Sequence, residues 1–522
     1  GEGNAKDSFA PKEPTSNRLP VKEEFFSLDK IFMNTYIGID LGTSAVKLLL
    51  VSEDGRILNS TTKSYPIFYP ESGWSEQNPE DWYTGVVEGI KELLCGQDKG
   101  AVRGIGFGGQ MHGLVLLDSE GKVIRPAILW NDGRTQKQTD YLNETIGRER
   151  LSEYTANIAF AGFTAPKILW VKENEPQNFS RIDKIMLPKD YVVYRLSGVH
   201  CTDYSDAGGM LLLDVKNRRW SEEMCRICSV KKEWLPALYE SYETIGELLP
   251  SVAAELGLSE SVKLCAGAGD NAAAAVGTGT VSGGACNISL GTSGTVFIVG
   301  NSFSVDPKNA LHSFCHANGG YHLMGCILAA ASCNQWWTDT ILGTKNYAEE
   351  QSGLEKELGK NEVFFLPYLM GERSPHNDVN ARGAFIGMRP HTTRKEMTLA
   401  VLEGVAFALR DCMEVAKGNG IKVTCTRICG GGAKSPLWRQ IIADVLGISV
   451  ETPMIEEGPA YGAAILSMVT CGAYSTVEAA TAALIKIKEI VQPDKEIVAA
   501  YEKKYQIFRK LYPSLKEVFA KF

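Results

Sequence analysis

The carboxylate of Asp270 stands between Gly267-Ala268-Gly269 and the run Asn271-Ala272-Ala273-Ala274-Ala275. Small neighbours on both sides let a ligand hydroxyl come up against it. A carboxylate so placed can orient that hydroxyl and accept its proton. The same residues also read as a helix start, with Asp270 capping the Ala-rich segment. A second carboxylate, Asp40, ends the apolar strand Tyr36-Ile-Gly-Ile-Asp40. Leu41-Gly-Thr-Ser44 follows it, then another apolar strand, Val46 to Val51 with Lys47 interrupting. Strand, Gly-Thr-Ser turn, strand is a phosphate cradle: glycine admits close backbone approach, and hydroxyls and amides donate to oxygens.

The cradle recurs about 250 residues later as Asn287-Ile-Ser-Leu-Gly-Thr-Ser293 followed by Gly294-Thr-Val-Phe-Ile-Val299. Superposing Leu41–Ser44 on Leu290–Ser293 predicts two related domains, each opening with one hairpin. The superposition sets Asp40 of the first copy against Ser289 of the second. A carboxylate in only one of two hairpins makes an asymmetric phosphate site. The acidic copy could hold Mg²⁺, which is typically bound by one or two carboxylates plus waters and phosphate oxygens. Lys47 lies within its strand and is expected to reach solvent.

The elements that must position these groups alternate between strand and helix, as in an α/β domain. Asn78-Pro-Glu-Asp81 opens a helix with apolar residues at Val86, Ile90 and Leu94. Ala101 to Phe107 reads as a buried strand running into Gly108-Gly-Gln-Met-His-Gly113, whose glycines predict an exposed loop for Met111 and His112. Thr426 to Cys429 reads as a buried strand ending in Gly430-Gly-Gly-Ala433, and Ser435-Pro436 caps the helix that follows. Val498, Tyr501, Tyr505, Phe508, Tyr512 and Leu515 recur at helical steps in a C-terminal packing helix, expected to break near Pro513. Glycine is the compositional excess, 52 of 522 residues, or about a tenth against the usual ~7%. Lys+Arg total 54 against Asp+Glu 62, a net charge of −8. That balance, without a basic block, argues against a nucleic-acid partner, and no apolar run is long enough to span a membrane. Thirteen cysteines show no disulfide framework; Cys225 and Cys228 form a lone C-x-x-C, and free thiols in a reducing, cytoplasmic setting are expected. Residues 1–32, rich in Lys, Glu, Pro and Ser, are read as a disordered leader or expression remnant outside the fold.

Two longer segments resemble the signatures of the FGGY carbohydrate kinases, within the sugar-kinase/actin/heat-shock-ATPase superfamily. They are Gly162-Phe-Thr-Ala-Pro-Lys-Ile-Leu-Trp-Val-Lys-Glu-Asn174, and Gly383-Ala-Phe-Ile-Gly-Met388 with Glu396 to Glu403. Gly108–Gly113 and Ala268–Ala272 are most similar to xylulokinases. The resemblance covers roughly residues 35–515. It implies two actin-like/ribonuclease-H-like ATPase domains, 33–280 for the sugar and 281–522 for the nucleotide, with a catalytic cleft between them.

The resemblance further implies ATP-dependent phosphorylation of a ketopentose, D-xylulose to D-xylulose 5-phosphate, with Asp270 as general base. Met111, His112, Asp270 and Asn271 would meet the sugar. Thr43, Ser44, Gly291 and Thr292 would donate to the phosphates of Mg–ATP, and Gly431, Gly432 and Ala433 would lie against ribose and adenine. Asp40 would serve both the metal and the transfer. Trp74 to Asn78, Asn131, Asp132 and Arg134 are expected to be mostly structural. A homodimer is among the arrangements the family adopts. Another ketose or a polyol, ribulose for example, stays open as the substrate, as does an actin- or heat-shock-like ATPase acting on proteins.

Overall fold

The computed structural model describes residues 33–522; the leader expected over 1–32 lies outside the described residues. Two seven-stranded sheets carry the architecture. The first is built from β1 (Thr35–Leu41), β2 (Ala45–Ser52), β3 (Ile57–Ser64), β4 (Val102–Gly109), β5 (Thr244–Glu247), β6 (Lys263–Cys265) and β7 (Ala268–Gly269). Its order is β5-β6-β4-β1-β2-β3, with β7 also on β4. The second consists of β8 (Ala285–Leu290), β9 (Gly294–Gly300), β10 (His312–Cys315), β11 (Tyr321–Ile327), β12 (Cys425–Cys429), β13 (Val450–Pro453) and β14 (Ile487–Val491). Its order is β10-β11-β9-β8-β12-β13-β14.

Laid over each other, β3-β2-β1-β4-β6-β5 matches β11-β9-β8-β12-β13-β14. The pairing sense agrees at every step: antiparallel, antiparallel, parallel, parallel, antiparallel. The internal repeat predicted from two hairpins therefore extends over both sheets. Central strands such as β1 are covered on both faces and are mostly apolar, with Asp40 near the end of β1, whereas the edge strand β3 exposes most of its residues.

Helices cover the sheets: α1 (Pro79–Leu93), α2 (Thr164–Asn174), α3 (Asp270–Gly277), α4 (Arg394–Gly418), α5 (Pro436–Leu446), α6 (Gly458–Thr470) and α7 (Lys495–Phe519). Asn78 caps α1 and Ser435 caps α5, as expected. Although α6 comes from the second half of the chain, it lies on β1 and β4 of the first sheet and against α3. Contact is at backbone distance. A Cβ at Gly38 or Gly106 would run into the carbonyl oxygens of Ala460 and Ala463, so glycine is required there for close approach. The C-terminal helix differs from expectation, because α7 runs unbroken through Pro513. Pro513 is exposed, while Phe508, Tyr512 and Phe519 around it are buried, and that burial holds the helix together across the missing N–H. Among the described residues no helix is long and apolar enough to cross a membrane.

Candidate active site

Strand register brings the first hairpin to the site. Asp40 pairs with Lys47 on β2 and with Gly108 on β4. Ser289 holds the equivalent position, opposite Thr295 and Cys429. Burial pushes the Asp40 carboxyl up to about 7; the charge of Asp270 adds to the effect, Lys47 opposes it and Glu457 adds again. Asp40 and Asp270 thus lie close enough for the charge of one to act on the other. Lys47 reaches solvent, as expected, and its ammonium also pairs with Glu457, the residue preceding α6. The turn after β1 is held from behind. Gln77 Nε2 donates to the Thr43 carbonyl at 2.6 Å, and Gln77 Oε1 accepts from Trp82 and Gln110, each at 3.0 Å. Trp130 Nε1 donates to Thr43 Oγ1 at 2.9 Å. In the second hairpin, Ala331 N–H donates to the Gly291 carbonyl at 2.8 Å and Ala330 N–H to the Thr292 carbonyl at 2.9 Å.

Asp270 is the first residue of α3, and the capping position falls on Gly269. The carboxylate serves the helix start from one position further in than expected, and it also faces the site. Its Oδ1 accepts the Asn271 N–H at 2.8 Å. Burial pushes the carboxyl up to about 6, against the pull of the Asn271 and Asp270 backbone N–H groups.

Met111 and His112 are not on an exposed loop. Met111 is buried and lies 4.0 Å by its sulfur from Asn271 Nδ2. His112 has φ of 70° and stacks on Phe163 with ring centroids 4.7 Å apart. Its Nδ1 lies 2.8 Å from the Gly209 carbonyl. That nitrogen must carry the proton, because a carbonyl only accepts, and Nε2 is left as an acceptor. Burial drives the ring down to about 3, so it is neutral. Two side chains of the first signature hold the loop in place: Thr164 Oγ1 and Lys167 Nζ donate to the His112 carbonyl at 3.0 and 3.1 Å. Glycines there serve packing, since a side chain at Gly113 would strike Pro188.

A cavity of about 750 Å³ runs from Asp270 and Asn271 past Ser289 to Gly431 and Ala433. A second, of about 340 Å³, adjoins it through Gly431 and is lined by Thr292, Asn334, Gln335, Tyr347 and Gly432. The structure thus gathers Asp270, Asn271, Ser289 and the Gly-rich turn around one cavity and Thr292 around the adjoining one, sets Met111 against Asn271, and leaves Asp40, Thr43 and Ser44 off the lining of both. Ser44 is exposed on the first hairpin. Asp132 and Arg134 form a buried pair at 2.7 Å, with Arg134 over the Trp74 ring at 3.8 Å, a packing role as expected.

Residues 35–277 match the pattern described as the FGGY family of carbohydrate kinases, N-terminal domain, and residues 286–471 match the C-terminal domain of the same family. The chain belongs to the FGGY family of carbohydrate kinases. Both FGGY matches include a hairpin, so the internal repeat and the family pattern coincide at the phosphate cradles. As a carbohydrate kinase it takes ATP as phosphate donor. The FGGY chain is 41% identical over 483 residues to the xylulose kinase of Escherichia coli K12, covering 92% of this chain and 99% of that one. A xyloylose kinase from Brucella ovis superposes with a TM-score of 0.89 at 38% identity, covering 93% and 100% of the two chains. A gluconate kinase from Lactobacillus acidophilus superposes with a TM-score of 0.90 at 25% identity, covering 94% and 100%. The FGGY fold by itself therefore does not choose the sugar. Within it, Gln110, Trp130 and Lys167 escaped sequence reasoning as groups that shape the site, while Gln77, in a segment expected to be mostly structural, buttresses the first hairpin. For Lys167, a lysine in the apolar first turns of its helix, well before Lys172 near the end, was the available signal.

All thirteen cysteines are free. Burial pushes the Cys225 and Cys228 thiols up to about 11 and about 12, which keeps them unreactive. Cys425 and Cys429 are half-buried on β12 rather than enclosed.

Proposed function

We propose that the protein transfers the terminal phosphoryl group of ATP to D-xylulose, giving D-xylulose 5-phosphate, in the reducing cytoplasm where its unpaired thiols would persist. The observation that carries this reading is the Asp270 carboxylate on the wall of a cavity that also takes in the second hairpin and the Gly-rich turn, with Asp40 near enough for the two charges to act on each other. The names of the full-length relatives supply the sugar. Asp270 accepts the proton of the sugar's terminal hydroxyl as its oxygen attacks phosphorus; the bond from that phosphorus to the ADP oxygen breaks. His112 Nε2 accepts from a sugar hydroxyl, Met111 lies along the carbon skeleton, and Asn271 donates beside the base. Thr43, Ser44, Gly291 and Thr292 donate to phosphate oxygens. Gly431, Gly432 and Ala433 leave the two cavities open for ribose and adenine.

Asp40 fits a magnesium ion: it stands near the end of a strand at the first hairpin, and burial with the charges of Asp270 and Glu457 beside it pushes its carboxyl up against Lys47, so a further cation there would favour the charged form. Among the described residues no three His, Cys, Asp or Glu gather into a cage, and Mg²⁺ bound with phosphates needs only one or two carboxylates. When bound, the ion neutralises charge on the transferring phosphate.

A coupled assay of ADP release over pentuloses, hexuloses and polyols tests the reading. D-Xylulose should give the highest kcat/KM. A preference for gluconate, ribulose or glycerol would reassign the substrate, and sugar-independent ADP release would make the protein an ATPase.

A further inference from the structure

Behind Asp270 lies a buried ion cluster that the chemistry above does not use. Lys189 Nζ sits 2.8 Å from Asp190 Oδ1, 3.0 Å from Asp203 Oδ1 and 3.6 Å from Asp206 Oδ2, with all four side chains sealed from solvent. Burying one cation among three carboxylates costs stability unless the geometry serves something else. Beside the helix starts that Asp190 and Asp203 hold through the Leu187, Ser205 and Asp206 N–H groups, three routes out of the cluster lead to the four residues before the base. Lys189 Nζ donates to the Ala266 carbonyl at 3.1 Å. Asp203 Oδ2 accepts from Ser241 Oγ at 2.9 Å, and the Ser241 carbonyl accepts the Gly267 N–H at 3.0 Å. The same Asp203 oxygen accepts from the Ser205 hydroxyl, whose oxygen accepts the Gly269 N–H at 3.2 Å. Ala266, Gly267 and Gly269 are thus pinned separately, and all three pins converge on Lys189 and Asp203. Gly267, with φ of 79°, has no room for a side chain beside the Phe107 carbonyl, so the segment has one way to lie.

We propose that Lys189 and Asp203, acting through Ser205 and Ser241, are positioning residues that fix the approach of Asp270 to the sugar hydroxyl. The proposal rests on Asp270 being the base. A general base displaced by about 1 Å loses up to about a hundredfold in rate, whereas ground-state binding by other residues is untouched.

The test is a double-mutant cycle on Ser205, the smallest link. Ser205→Ala should lower kcat about tenfold, leave KM for xylulose and for ATP within about twofold, and keep the thermal midpoint. Ser205→Thr, which restores the hydroxyl, should recover most of the rate. In an Asp270→Asn background, Ser205→Ala should cost nothing more, because a pin has no effect once the base is gone. The same fold-loss in both backgrounds, or full turnover of Ser205→Ala beside an inactive Asp270→Asn, overturns the positioning role. Near-normal turnover of Asp270→Asn alone overturns the base itself and the network with it. If Ser205→Ala does not fold, Ser205→Cys, a weak donor of similar size, is read in its place by the same criteria.

Discussion

Asp270 carries its charge only above the pH at which its buried carboxyl ionises. Burial raises that carboxyl to about 6, so a base acting through it works when deprotonated and fails as pH falls. The acid limb of kcat/KM should therefore centre near 6, well above an ordinary aspartate, and Asp270→Asn should abolish that limb while cutting turnover by about 10²–10⁴-fold. A pH–rate profile of both proteins checks this. Retention of the limb in the Asn variant would assign it to another group. Asp40 admits a separate experiment, since the second hairpin already shows the alternative residue, Ser289, in the same register. Asp40→Ser should keep xylulose affinity, lower turnover severely and raise the magnesium concentration needed for the remaining rate. An unchanged magnesium dependence would leave Asp40 as the end of a strand.

Elements differ in how much of them could be read from the chain. Both hairpins, the capped starts of α1 and α5 and the signature segments are local patterns in consecutive residues, and all stand where the sequence puts them. Two readings went astray and one was incomplete, all for nonlocal reasons. Lys47 reads as solvent-facing by strand position and is so, but its partner Glu457 arrives from some 400 residues away. The glycines around Met111 and His112 read as an exposed loop, yet Phe163, Gly209 and Pro188 close over them from other elements. Pro513 reads as a helix end, and propensity is overruled by buried aromatic residues on either side of it. Helix α7 therefore carries a removable defect. Pro513→Ala restores an N–H for the Arg509 carbonyl without disturbing Tyr512, whose hydroxyl donates to Asp378 at 2.7 Å. Since interior proline costs a helix about 3 kcal/mol, the variant should be more stable by about 1–3 kcal/mol in urea unfolding, with turnover unchanged.

The whole molecule is tied together across the repeat by α6, which belongs to one half by sequence and to the other by packing. A boundary near residue 280 would then divide the chain without dividing the fold. Residues 33–280 expressed alone should lack a cooperative thermal transition, and co-expression with 281–522 should restore one. Calorimetry of the intact chain should show a single main transition, and two well-separated ones would mean that each half folds independently. The same crossing has a consequence during synthesis. The strands of the first sheet and α3 are complete by Gly277, but α6 ends at Thr470, roughly 190 residues later. At ~5–20 residues/s on the ribosome, the glycine-lined face of β1 and β4 waits on the order of 10–40 s for its cover. Throughout that interval the nascent sheet is open to neighbouring nascent copies, so its yield in the cell depends on translation speed and on chaperones that shelter it.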